Sequence, residues 1–184
     1  MKIKTIDASR EIIENLMLVD EAKKEDVALL IYGSPLSATT HISLIEECRK
    51  KNIKYKILYA GSVFDAVAES GLSLYKFGKT TSLPKWQKNY TPKSFVDVIK
   101  ENKKIGAHTL LLIDIGLEFA DARKQLDECD FDFGKIIVCS RLGDKSKFYY
   151  GKLEEIPHDK VKKPYCIVIP SEMNEVEKYF IGLL

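Results

Sequence analysis

Two strand-like runs, residues 27–32 and 53–59, each stop at a loop of small residues. The first stops at Gly33-Ser34-Pro35-Leu36-Ser37-Ala38-Thr39-Thr40-His41 and the second at Ala60-Gly61-Ser62-Val63. The β-branched and aliphatic run 27–32 reads as a buried parallel strand, which shows no polar alternation because both faces are covered. Between the runs, residues 41–51 place Ile42, Ile45 and Cys48 on one helical face, and Asn52 suits a left-handed stop. Strand, helix and strand in this order make a right-handed βαβ unit. Open α/β sheets bind ligands beyond the carboxyl ends of their strands, so the two loops form a ligand shelf.

The alternation continues downstream. Ser62 suits a helix cap with Asp65 near the positive end, and Gly71 suits its stop. Residues 76–86 have little periodicity and read as a loop or hinge. Thr91-Pro92 predicts a helix entry, with Phe95, Val98 and Ile99 inward and Gly106 as its end. Residues 108–115, 135–140, 147–153 and 165–170 predict strands, and 120–129 a helix. Residues 172–181 predict a last helix, with Ser171 as its cap. The expected fold class is α/β in two lobes, residues 1–75 and 76–184.

Composition narrows the functional classes. Lys and Arg total 29 against 27 for Asp and Glu, and no concentrated basic stripe argues for nucleic acid. Lys79, Lys85, Lys88 and Lys93 surround Trp86 and Tyr90 in one loop, a solvated loop or an anionic or protein contact. No apolar run reaches the length of a bilayer span. Cys48, Cys129, Cys139 and Cys166 form no C-x-x-C pair, which points to free thiols in a reducing, cytoplasmic compartment.

The nonapeptide 33–41 closely resembles the Gly-Asp-Pro-Leu-x-Ala-Thr-Thr-His segment of the diphthine synthases, in the tetrapyrrole methylase superfamily. Tyr75-Lys76-Phe77-Gly78-Lys79-Thr80 resembles their Tyr-x-Phe-Gly-Lys-x turn. Asp97-Val98-Ile99-Lys100-Glu101-Asn102 and His108-Thr109-Leu110-Leu111-Leu112-Ile113-Asp114-Ile115 resemble a later helix and strand. Pro164-Tyr165-Cys166-Ile167-Val168-Ile169-Pro170 is a looser likeness near the end. The resemblance implies a two-lobed fold, commonly homodimeric, with S-adenosylmethionine in the cleft between the lobes. It implies methyl transfer to the modified histidine of translation elongation factor 2, a step of diphthamide synthesis. Carried over by position, the cofactor contacts are Ser34, Ser37, Ser62, Val63, Ile113, Leu142 and Tyr165. No metal and no catalytic acid or base is implied, since a sulfonium methyl is already activated and alignment does most of the work.

This chain departs from the family pattern at several places. Ser34 stands where the family has Asp, and Tyr165 where it has His. The stretch between Ile115 and Gly134 is short. The family's opening strand and Gly-x-Gly-x-Gly loop find no counterpart, so the first lobe is expected to be incomplete. A separate polypeptide, a misplaced gene start or a reorganised lobe would each account for that. His41 and His108 read as structural, and Asp114 as either an acid–base group or a holder of loop amides. A small-molecule methylase of tetrapyrrole type and a non-catalytic homologue are the alternative functions.

Overall fold

The computed structural model describes residues 5, 7 and 10–183. The chain packs as two compact units, Met1–Phe64 and Asp65–Leu184. Residues 1–6 lie outside the described residues, apart from Thr5.

The first unit holds helices α1 (Arg10–Glu14), α2 (Met17–Glu21) and α3 (Ile42–Lys50). The stop of α3 is built as its sequence predicts. Asn52 takes φ 55°, while Asn52 N–H donates to the Arg49 carbonyl (3.2 Å) and Ile53 N–H to that of Cys48 (2.8 Å). These two bonds are the Schellman pattern, which satisfies the last carbonyls of a helix. Ile42 is not on a covered face, since it is 63% exposed.

Among the described residues, the two strands expected here form no ladder. Residues 27–31 and 53–60 run without bend, turn or ladder, and among the described residues 27–32 and 54–60 make no backbone–backbone hydrogen bond. Apolar content favours an extended, buried segment, but a strand also needs a partner edge. No described segment supplies one.

The second unit is a five-stranded sheet of order β1-β2-β5-β3-β4. Its strands are β1 (Thr81–Leu83), β2 (Thr109–Ile113), β3 (Lys135–Ser140), β4 (Lys147–Lys152) and β5 (Tyr165–Ile169). β1 runs parallel to β2, and every other pair is antiparallel. β1 falls in the stretch expected to be loop: its three residues carry no apolar run, and its strand character comes from pairing with β2. Helices α5 (Ser94–Lys104) and α6 (Phe119–Asp127) supply Phe95, Ile99, Phe119 and Leu126 to a core that includes Ile136, Val138, Ile167 and Ile169. α5 starts two residues after Pro92 rather than at it. The alternate residues Ile137 and Cys139 are also buried, as the pleat's period of two requires. α4 (Val63–Ala66) runs into a 3-10 turn that ends at Gly71, φ 82°.

Two buried polar groups join distant parts of this unit. Asn102, 1% exposed, accepts from Lys79 N–H (2.9 Å) and donates to the Lys79 carbonyl (2.8 Å) and Thr109 Oγ1 (2.9 Å). A Cβ on Gly78 would stand 2.3 Å from its Oδ1, which gives the Phe-Gly-Lys turn a steric reason. Glu177 lies in the last helix, α7 (Glu175–Ile181), and Asn174 rather than Ser171 caps it. Its carboxylate accepts from Ser73 N–H (2.9 Å), Asn174 N–H (2.9 Å), Lys76 Nζ (3.0 Å) and His108 Nε2 (3.2 Å). His108 Nδ1 accepts from Ser171 N–H at 3.0 Å, so the imidazole is neutral with its proton on Nε2. His108 is structural, as its sequence position suggests.

Burial pushes the Glu177 carboxyl up, but the four donors outweigh it and hold the group at about 2. Burial also lowers His108 against the raising effect of Glu177. Both shifts are depressions, so their stability is present above the ordinary values and is lost as pH falls through the folded ones. We expect Glu177→Gln to cost about 3 kcal/mol at pH 7, and to flatten the loss of stability between about pH 5 and pH 2. Urea unfolding followed by Trp86, the one tryptophan, reads this unit, and an unchanged midpoint at pH 7 would refute the assignment.

Candidate functional site

In the first unit, the two loops of the sequence analysis meet. Gly33 takes φ 85°, a left-handed conformation open to glycine. A Cβ built on it would lie 3.6 Å from the Gly61 carbonyl. Ser34 opens a turn closed by Ser37 N–H donating to its carbonyl at 3.3 Å. His41 Nδ1 bonds the Pro35 carbonyl oxygen at 3.0 Å and stitches the nonapeptide to the start of α3. That is a structural use of the histidine. The second loop is pinned by Phe64 N–H donating to Ser62 Oγ at 3.1 Å, and Val63 begins α4. A Cβ on Gly61 would meet nothing within 4 Å. The result is two abutting small-residue bends with space over Gly61, able to admit a ligand against backbone.

In the second unit, the register gathers the remaining three positions. Leu112 pairs with Cys166 and Ser140 with Tyr165. Ile113, the last residue of β2, and Tyr165, the first of β5, therefore share one end of the sheet. Leu142 follows β3 at that same end, between Arg141 (φ 57°) and Gly143 (φ 78°). Arg141 N–H donates to the Pro164 carbonyl (2.8 Å) and Asp144 N–H to that of Arg141 (3.1 Å), which close the turn. Ile113 and Leu142 are half-buried.

Tyr165 differs from the other two, being 8% exposed and part of the core. Its ring stands edge-on to Phe119, with centroids 5.6 Å apart, and its hydroxyl donates to the Leu117 carbonyl at 3.1 Å. Burial, with the Glu118 and Asp121 carboxylates nearby, pushes the phenol above its ordinary value. The hydroxyl is thus committed to structure, and what Tyr165 offers a ligand is backbone. Asp114 takes the structural alternative: Oδ1 accepts from Gly116 N–H (3.1 Å) and Oδ2 from Lys85 N–H (3.4 Å).

The missed strand β1 also delivers residues to this sheet end, because Leu83 pairs with Ile113. Gln125, 7% exposed, clamps the loop that follows. Its Nε2 donates to the Pro84 carbonyl (2.9 Å) and its Oε1 accepts from Trp86 N–H (3.1 Å). Trp86 Nε1 donates to the Pro92 carbonyl at 3.2 Å, and Lys93 Nζ stands 5.7 Å from the ring centroid. The Trp–Lys grouping was visible in the sequence as a loop; Gln125 carried no signal apart from its place in a helix.

The tetrapyrrole (corrin/porphyrin) methylase family profile matches residues 3–157. A diphthine synthase of Methanococcus maripaludis is 36% identical over 192 residues, covering 96% of this chain and 75% of the relative. That of Methanocaldococcus jannaschii is 37% identical, covering 88% and 70%. A diphthine methyl ester synthase of Schizosaccharomyces pombe is 43% identical over 110 residues, covering 59% and 39%. The crystal structure of a putative diphthine synthase from Entamoeba histolytica superposes with a TM-score of 0.84 at 28% identity, over 91% of this chain and 74% of that one.

The committed hydroxyl generates a prediction. Tyr165→Phe removes one hydrogen bond and keeps the ring contact, so it should cost about 1 kcal/mol in urea unfolding. A loss above about 3 kcal/mol would show that the hydroxyl does more than bond Leu117.

Proposed function

The chain belongs to the tetrapyrrole (corrin/porphyrin) methylase family, in its diphthine synthase branch, and on that premise we propose that it serves diphthamide synthesis. It is an S-adenosylmethionine-dependent methyltransferase acting on the modified histidine of translation elongation factor 2. The observation that carries the reading is the likeness to diphthine synthases over 96% of the chain, which takes in both small-residue loops. The proposed lobes are residues 1–75 and 76–184, and the proposed assembly is a homodimer in the cytoplasm.

The cofactor contacts we propose are Ser34, Ser37, Ser62 and Val63 in one unit, and Ile113, Leu142 and Tyr165 in the other. What supports a fit is the lining: small bends with space over Gly61 and two half-buried aliphatic side chains. When bound, the group supplies a methyl on a sulfonium, already activated for transfer. The residues of this chain bind and orient. The Ser34 hydroxyl offers one acceptor where a carboxylate would offer two, while Ile113 and Leu142 give apolar contact. Tyr165 contributes main-chain groups. Water or a nearby carboxylate must receive the proton of the acceptor amine.

Calorimetry with S-adenosylmethionine, followed by mass analysis of elongation factor 2 bearing the precursor histidine, tests the proposal. Heat at micromolar cofactor with added methyl mass on that protein is the expected result. Heat without transfer points to a small-molecule methylase, and no heat from a folded chain points to a non-catalytic homologue. Charge-assisted hydrogen bonds exceed neutral ones by about 1 kcal/mol. Ser34→Asp should therefore tighten cofactor binding about five- to ten-fold, and unchanged affinity would remove Ser34 from the contact set.

A further inference from the structure

The loops at one end of the second unit's sheet leave a set of charges unanswered. Strand order and direction bring three connections to the end that carries Ile113, Leu142 and Tyr165: residues 84–93 after β1, 114–118 after β2 and 141–146 between β3 and β4. Their acids are all engaged. Asp114 accepts from Gly116 N–H and Lys85 N–H, Glu118 pairs with Lys163, and Asp144 pairs with Arg141. The stretch entering β5 sets Asp159 against Lys160, Lys162 and Lys163, so it adds no negative excess. Lys85, Lys88, Lys145 and Lys147 are exposed, and among the described residues their ammonium groups have no ion-pair or hydrogen-bond partner.

Bonded backbone sets where these charges stand. Gln87 and Tyr90 exchange both backbone hydrogen bonds (3.0 and 2.9 Å), which closes a tip around Lys88 and Asn89. The Gln125 clamp and the Trp86–Pro92 bond hold its base. On the far flank, Lys145 takes φ 58° and Gly143 N–H donates to Ser146 Oγ at 3.0 Å. Between the flanks stands Ile115, 93% exposed, and Tyr90 on the tip is 57% exposed.

β1 and β4 are the outer strands, so the connections that carry the two lysine pairs are spread over about 19 Å. A small anion needs donors that converge, and these do not. Isolated lysines with an apolar residue between them also fall short of the continuous basic track that follows a phosphate backbone. An apolar centre inside a charged rim is the anatomy of a protein interface, and the sign of this rim selects an acidic partner.

We infer that this end of the sheet docks an acidic protein surface, held at its rim by Lys85, Lys88, Lys145 and Lys147 and at its centre by Ile115. Resting on the proposed methyl transfer, the partner is the acceptor protein itself. Docking then brings its target amine to the end that carries Ile113, Leu142 and Tyr165.

Reversing the charge of these lysines removes no ion pair or hydrogen bond of the fold. In initial-rate assays on elongation factor 2 bearing the precursor histidine, Lys85→Glu/Lys88→Glu and Lys145→Glu/Lys147→Glu should each raise KM for that protein about ten-fold or more. Neither should change kcat or the heat of cofactor binding. Arginine at the same positions keeps the charge and should keep KM within about two-fold. The same reversal at the opposite end of the sheet, Lys135→Glu/Lys152→Glu, should leave KM unchanged. A second readout needs no methylation. A glutamate-rich peptide without tryptophan should shift the emission of Trp86, the one tryptophan, saturably and less at higher salt. Lys85→Glu/Lys88→Glu should weaken that binding about ten-fold. If the unaltered chain transfers no methyl group, the proposed function fails and the peptide decides the docking surface. Transfer with KM unmoved by the reversals overturns the docking surface and leaves the proposed function standing. An equal rise in KM from the opposite-end reversal, no emission change with the peptide, or tighter binding of an oligonucleotide of equal charge would each overturn it as well.

Discussion

The second unit depends on β5. This strand is paired on one side with β2 and on the other with β3, antiparallel to both, and its five residues are buried. Because side chains alternate, a one-residue slip would exchange Ile167 and Ile169 with Cys166 and Val168 between the two buried faces of the sheet. Two cysteines meet across the β3–β5 ladder, Cys139 opposite Cys166, and they remain free thiols. The same register decides where chemistry can occur. It brings the end of β2, the start of β5 and the turn after β3 to one end of the sheet. Parallel β1 adds the loop clamped by Gln125.

A second constraint fixes what lies around that sheet. Burying a carboxylate is unfavourable unless donors replace its water. Glu177, 2% exposed, finds four, from residues 73, 76, 108 and 174. The bonds draw together the chain before β1, the entrance to β2 and the cap of α7. Two of the partners are held again: His108 by Ser171 N–H, and Asn174 by its own capping box. The apolar core alone would leave α7 less well placed, since Val176 and Tyr179 are 64% and 67% exposed.

What the sequence disclosed follows from what it encodes locally. β3 was legible over its whole length because 135–140 is a buried run bounded by Gly134 and a turn. The α3 stop was legible because Asn52 alone can bring about a left-handed end. β1 was not, since Thr81-Ser82-Leu83 resembles a loop until β2 pairs with it. The start of α5 and the cap of α7 each moved by a few residues because Thr, Pro and Ser were plausible starts, and competing local bonds decided between them. Ile113, Leu142 and Tyr165 came from family resemblance. Their proximity arises from an antiparallel register that no spacing in the chain displays.

The first unit separates two kinds of encoding more sharply. Hydrophobicity is a property of a segment taken singly, whereas a ladder belongs to a pair, so residues 27–31 and 53–60 can be apolar and still form no ladder among the described residues. The loops beyond them are different. The Ser34–Ser37 turn, the His41–Pro35 bond and the Ser62 cap each close over six residues or fewer. Their shape is therefore fixed by short-range bonds, even where the segments leading into them are unpaired. Local bonds preset the bends, but they do not set the distance or the rigidity of the segments beneath.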